Sequence, residues 1–184
     1  MKYCFYYCQK LESLDVRYMS SASVTDFTEC FRGCSALTDL KGPETWTVTS
    51  VCTTANSMFN GCTKLEKLKL GIWNMTGVGT ATYMFQGMSA VTEIDMNGLT
   101  WGSATTNINS MFNGNGKLVM IYEKVGTALA GAISPTSVFY NCYNLKGGSG
   151  SALNNSTSVN NSYIGGAYAR VDGVGGLPGY FTAK

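Results

Sequence analysis

One short segment returns six times along the chain, and this repetition limits the fold more than any other feature. It reads "CFYYCQKLESL" from Cys4, "CFRGCSALTDL" from Cys30, "MFNGCTKLEKL" from Met58, "MFQGMSAVTEI" from Met84, "MFNGNGKLVMI" from Met111 and "VFYNCYNLKGG" from Val138. The phenylalanines Phe5, Phe31, Phe59, Phe85, Phe112 and Phe139 are separated by 26, 28, 26, 27 and 27 residues. A period of this length means a unit too small to bury its own apolar face, so the units must stack and share one continuous core.

Within a unit the apolar spacing changes character. Ala81, Met84, Phe85 and Met88 stand at i, i+3, i+4 and i+7, as do Ala55, Met58, Phe59 and Cys62; this is the spacing of one helical face and predicts a short helix. An L-x-x-L-x-L pattern follows, at Leu65, Leu68 and Leu70 and again at Val91, Ile94 and Met96. Its last three residues alternate in, out, in, as a short strand does. The expected fold is therefore an α/β repeat, a solenoid with one short parallel β-strand and one short helix per 26–28-residue coil. Equivalent strands would pair in parallel and every phenylalanine would stack on the next.

The F-x-G-C-x-x-L-x-x-L-x-L frame, followed by Trp-Asn and a Thr-rich return, resembles the BspA-like leucine-rich-repeat surface proteins of bacteria and some protozoa. The resemblance covers residues 4–146, and the ending "YARVDGVGGLPGYFTAK" is similar to that of many bacterial members. It implies a right-handed leucine-rich-repeat solenoid, a cell-surface or extracellular location, and adhesion to proteins or glycans of a host or of other cells. The chain departs from that pattern in showing no export signal and no amino-terminal cap.

On this reading residues 1–146 form the solenoid, of about six coils. Residues 147–184 form a Gly/Ser-rich loop and a carboxy-terminal cap, with Tyr168, Val171, Tyr180 and Phe181 available to cover the last coil. The amino end offers nothing comparable. Phe5, Tyr6 and Tyr7 would lie near solvent there, which points to self-association, a partner chain or a missing upstream segment covering that end, or to Tyr3 and its neighbours folding over it themselves.

Composition narrows the function. The 184 residues are 45% hydrophobic and 13% charged with a net charge of +2, without the basic footprint of a nucleic-acid binder. Histidine is absent, which removes the commonest general base. No run approaches the roughly 20 apolar residues of a membrane span. No cofactor is expected and no set of residues suggests catalysis, so the chain reads as a non-enzyme.

Seven cysteines raise a metal or redox question, since Cys4 and Cys8 with Cys30 and Cys34 make a C-x3-C pair twice. However, the positions of Cys4 and Cys30 hold Met58, Met84, Met111 and Val138 in later copies. Buried free thiols in a core column fit that substitution pattern better than zinc. Trp46, Trp73 and Trp101 recur once per coil, as a packing element would; the alternative is an aromatic stripe for sugars.

The outward strand positions are the candidate recognition surface. One column reads Ser13, Asp39, Lys67, Glu93, Met120 and the other Asp15, Lys41, Lys69, Asp95, Tyr122. Opposite charges along such ladders can neutralise one another; alternatively Asp39, Lys41, Lys67, Lys69, Glu93, Asp95 and Tyr122 form a ligand face. Two functions follow: a binding or adhesion module for a protein or glycan ligand, or a structural component of a larger assembly such as a phage virion or surface filament.

Overall fold

The computed structural model describes residues 1–103, 105, 107–124, 136–150 and 181–183. It is a parallel β-solenoid. The strands are three or four residues long: β1 (Ser13–Asp15), β2 (Asp39–Lys41), β3 (Lys67–Lys69), β4 (Trp73–Met75), β5 (Glu93–Asp95), β6 (Leu99–Trp101), β7 (Met120–Glu123) and β8 (Phe181–Ala183). All named pairings are parallel, β1 with β2, β3 with β5, β5 with β7, β7 with β8, and β4 with β6. A third ladder of single bridges runs through Asp26, Thr54, Thr80 and Asn107.

The six phenylalanines form the core column the repeat predicts. Successive rings from Phe5 to Phe139 lie 5.4, 5.2, 5.9, 5.3 and 5.5 Å apart and stack nearly parallel. Around them Leu65, Leu68, Leu70, Val91, Ile94 and Met96 are buried. Phe181 ends the column edge-on against Phe112 and Phe139, at 6.0 and 6.1 Å. It does so from β8, so this part of the carboxy-terminal segment joins the sheet instead of merely covering it. Tyr168, Val171 and Tyr180 lie outside the described residues.

The expected helix in each coil is not there. The regular helical structure among the described residues is one 3-10 turn, Pro43–Thr45. In the F-x-G-C segments alternate amides do different things. The N–H groups of Glu29, Phe31 and Gly33 donate to the carbonyls of Asn56, Met58 and Asn60 in the next coil, while those of Cys30, Arg32 and Cys34 donate three residues back. Every other donor is thus spent between coils, and a helix needs all of them within the segment. Two residues per coil, four apart, also take the left-handed conformation: Glu29 and Gly33, Ser57 and Gly61, Tyr83 and Gly87, Ser110 and Gly114. Successive tight turns of this kind return side chains to the same side at intervals of three and four. Apolar spacing therefore imitates a helix while the backbone builds a turn ladder.

The tryptophans are packing elements. Trp46 and Trp73 stack at 6.0 Å and both stack on Phe27, and their indole N–H groups donate to the carbonyls of Val16 and Pro43. Trp101 is also buried, opposite Met75 and not in register with Trp73. A sugar-stacking stripe is excluded by this burial.

A lysine-edged cleft between β2 and β3

The strand face carries the register expected from the sequence. Ser13 faces Asp39 and Asp15 faces Lys41; Lys67, Glu93 and Met120 align, as do Lys69, Asp95 and Tyr122. The column is nevertheless broken in the middle, because β2 and β3 do not pair and belong to separate sheets.

The break has a local cause. Asp26 is bridged to Thr54, 28 residues on, whereas Val48 is bridged to Trp73, only 25 residues on. The corner after β2 is therefore longer than the corner after β3, and it holds Gly42 and the Pro43–Thr45 turn. In neighbouring coils the N–H of Val16 donates to Lys41, that of Leu70 to Asp95 and that of Met96 to Tyr122. At the equivalent place the Gly42 N–H turns to the Glu44 carboxylate, 3.1 Å away. On the entry side Thr38 donates to Glu12 and Thr92 to Glu66, but the Glu66 N–H finds no carbonyl on Thr38. Facing strand edges are left open.

Between them lies a cleft of about 430 Å³ lined by Thr38, Asp39, Leu40, Lys64, Leu65, Glu66 and Lys67. It brings together Asp39 and Lys67 of the candidates. Lys41 and Lys69 are exposed and stand one outward position further along the same two strands. Asp39 is paired with Lys41 at 3.1 Å and receives the Ser13 hydroxyl, while Lys67 reaches Glu93 at 3.6 Å. Lys64 and Lys69 make no ion pair with a described residue. Asp15 is taken by Arg17, whose hydrogen bonds hold its carboxyl down at about 2.

The other candidates lie outside the cleft. Asp95 is 5% exposed and accepts the Asn97 N–H, so it is a buried structural carboxylate and not part of an exposed column. Tyr122 is half-buried two coils away. Lys64 and Glu66, which the columns did not include, line the cleft because the ladder opens just there. The signal for them was the 28-residue interval between Phe31 and Phe59, the longest of the five.

The thiols divide by depth. Cys30, Cys34, Cys52, Cys62 and Cys142 are buried and free, Cys8 is half-buried and Cys4 exposed. Among the described residues no group of His, Cys, Asp and Glu is arranged to hold a metal ion. Burial pushes Cys30 and Cys142 up to about 12 and Cys34 and Cys52 up to about 11, with Cys62 shifted in the same direction. Such thiols stay protonated and unreactive. They also have a hydrogen-bonding role: the Cys34, Cys62 and Cys142 thiols donate to the carbonyls of Phe5, Phe31 and Phe112 in the preceding coil. In the fifth copy Asn115 replaces the thiol. Its Nδ2 donates to Phe85 and its Oδ1 accepts the Met88 N–H, both at 2.8 Å.

At the amino end Tyr3, Tyr6 and Tyr7 are exposed and touch edge to face. The Tyr7 ring lies against the bare backbone of Gly33. Tyr3, Tyr6 and Tyr7 thus present an exposed aromatic surface at this end, with Tyr7 also packed on the next coil.

Fold and site together define a class: a parallel β-solenoid repeat protein whose strand face is interrupted by a polar, lysine-edged cleft. A family described as "Mycoplasma protein of unknown function, DUF285" matches residues 1–123. This is about two thirds of the chain, and the protein belongs to that family. No curated protein and no solved structure matches. Among the described residues no helix is long and apolar enough to cross a membrane.

Proposed function

We propose that the protein is a non-catalytic recognition module that binds a protein or glycan ligand through the strand face of its solenoid. The observation that carries this reading is the cleft between β2 and β3, lined by Lys64 and Lys67 together with Asp39 and Glu66, with Lys41 and Lys69 one outward position further along the same strands. Solenoids bind through such extended surfaces, where each coil contributes a side chain at a fixed spacing. The BspA-like leucine-rich-repeat resemblance supports adhesion at a cell surface as the setting, since the shared frame spans the coils that build this face.

A panel of immobilised matrix proteins and glycans tests the proposal, with the wild-type chain compared against a Lys67→Glu, Lys69→Glu double variant. Binding should fall by about tenfold or more, the size of one lost charge-assisted contact. Binding that is found and left unaltered would place the ligand elsewhere and sink the strand-face reading.

A second reading has its own observation. The exposed tyrosine group at the amino-terminal coil suits a subunit contact in a larger assembly, a filament or virion, because clustered exposed aromatics mark interaction surfaces. Light scattering and electron microscopy separate the two. Ordered oligomers abolished by Tyr3→Ser and Tyr6→Ser would favour assembly, and a monodisperse monomer would count against it.

A further inference from the structure

The cleft differs from an ordinary surface groove in having unpaired main chain on both sides. β2 is hydrogen-bonded to β1 and β3 to β5, so the edges that face each other carry no ladder between them. The Glu66 N–H and the Thr38 and Lys69 carbonyls would join coils in an unbroken solenoid, and here they join nothing among the described residues. An open strand edge is a template for another extended chain.

The side chains along the cleft add a preference. Leu40 and Leu65 supply apolar lining between polar ones, and Lys64, Lys67 and Lys69 stand on the β3 side. Asp39 is neutralised by Lys41 at 3.1 Å and Lys67 by Glu93 at 3.6 Å. Of the charges left without an ion pair to a described residue, Lys64 and Lys69 outweigh the single carboxylate of Glu66, so the cleft keeps a modest positive balance. An extended peptide places alternate side chains on opposite sides, so one that alternates acidic and apolar residues would meet lysines with one set and leucines with the other. The volume of about 430 Å³ falls in the range of small-ligand sites, about 300–1,000 Å³, and suits a short segment.

Building on the strand-face reading, we propose that the ligand of this cleft is a short extended peptide with alternating acidic and apolar residues, bound by main-chain pairing to the open edges of β2 and β3. Main-chain bonds supply the affinity and the lysines select the acidic side chains.

Fluorescence anisotropy with a labelled peptide of alternating glutamate and valine tests this on the full chain. Saturable binding is expected. It should weaken by about tenfold in a Lys64→Glu, Lys69→Glu variant and by a similar factor when alternate peptide amides are N-methylated, since each change removes contacts of that size. Both lysines are exposed, so the variant should keep its circular dichroism spectrum. Hydrogen exchange should show the Glu66 amide gaining protection in the complex.

Equal binding by the N-methylated peptide, with no protection of Glu66, would overturn main-chain pairing in favour of charge alone. A heparin fragment that binds where the peptide does not would overturn the peptide class. Failure of the peptide beside a matrix or glycan ligand that depends on Lys67 and Lys69 overturns this inference and leaves the strand-face reading standing; absence of both removes both.

Discussion

At the scale of single residues, the cysteines show how one side chain can look chemical and act structurally. A thiol is small and apolar enough for a column beside the phenylalanines, yet its S–H still satisfies a buried carbonyl. In the folded chain these thiols ionise far above their ordinary value of 9.0, because burial disfavours the thiolate. The unfolded chain releases their protons first. Stability contributed by the neutral thiols is therefore intact below pH 9 and is lost as pH rises toward 12, since the folded state then binds more protons than the unfolded one. Denaturant midpoints measured from pH 7 to 11 should fall through the upper half of that range. Ellman's reagent at pH 8 should label Cys4 rapidly and leave the five buried thiols protected until unfolding.

Asn115 offers a second test at this scale. Its amide sits between the Met88 N–H and the Phe85 carbonyl, groups that in the Cys62 copy bond directly, from the Cys62 N–H to Phe59. Asn115→Ala should cost about 2 kcal/mol through a cavity and unmatched polar groups. Asn115→Cys copies the residue found at Cys34, Cys62 and Cys142 and should recover much of that loss. Chemical denaturation of the three proteins decides it.

At the scale of elements, the turn ladder and the strand corners use glycine for different reasons. Gly61 takes φ +75, but a Cβ there would meet nothing closer than 3.7 Å. Asn141 and Tyr7 adopt the same conformation at equivalent places. Gly71 has an ordinary φ, and a Cβ on it would lie 2.3 Å from the Glu44 carbonyl oxygen. Gly61→Ala should therefore cost about 1 kcal/mol of backbone strain. Gly71→Ala should cost more, about 2–3 kcal/mol, because two backbones must separate. Thermal unfolding of the pair would reverse this account if Gly61→Ala were the more damaging.

The same elements mark where the sequence could be read and where it misled. The strand columns were legible residue by residue, since alternation fixes which side chains face out and the repeat fixes which ones align. The helix was misread because intervals of three and four describe side-chain direction only; they do not say whether an amide bonds within its coil or across to the next. Alternation alone puts Asp95 outside, yet the residue is 5% exposed, whereas Asp15, with the same bond to the amide two residues on, stays exposed. Burial at a given outward position depends on its neighbours and not on the strand period.

At the scale of the molecule, the core is a pile whose layers touch mainly their neighbours. Phe85→Ala should cost about 3–5 kcal/mol, and its effect should fade with distance along the stack. Hydrogen exchange should show lost protection for the amides of Phe59, Gly61, Tyr83 and Gly87 and little change at Tyr3 or Phe5. Uniform loss of protection would indicate a fully cooperative core instead.

The sequence by itself determined the stacked repeat, its phenylalanine spine and the register of outward strand residues, because these follow from spacing and burial preference alone. The interruption of the ladder was decided by tertiary structure. A 28-residue interval is visible in the chain, but only packing settles where the surplus goes, and here it goes into the corner at Gly42–Thr45, so that β2 and β3 part and a cleft opens beside Lys64 and Lys67.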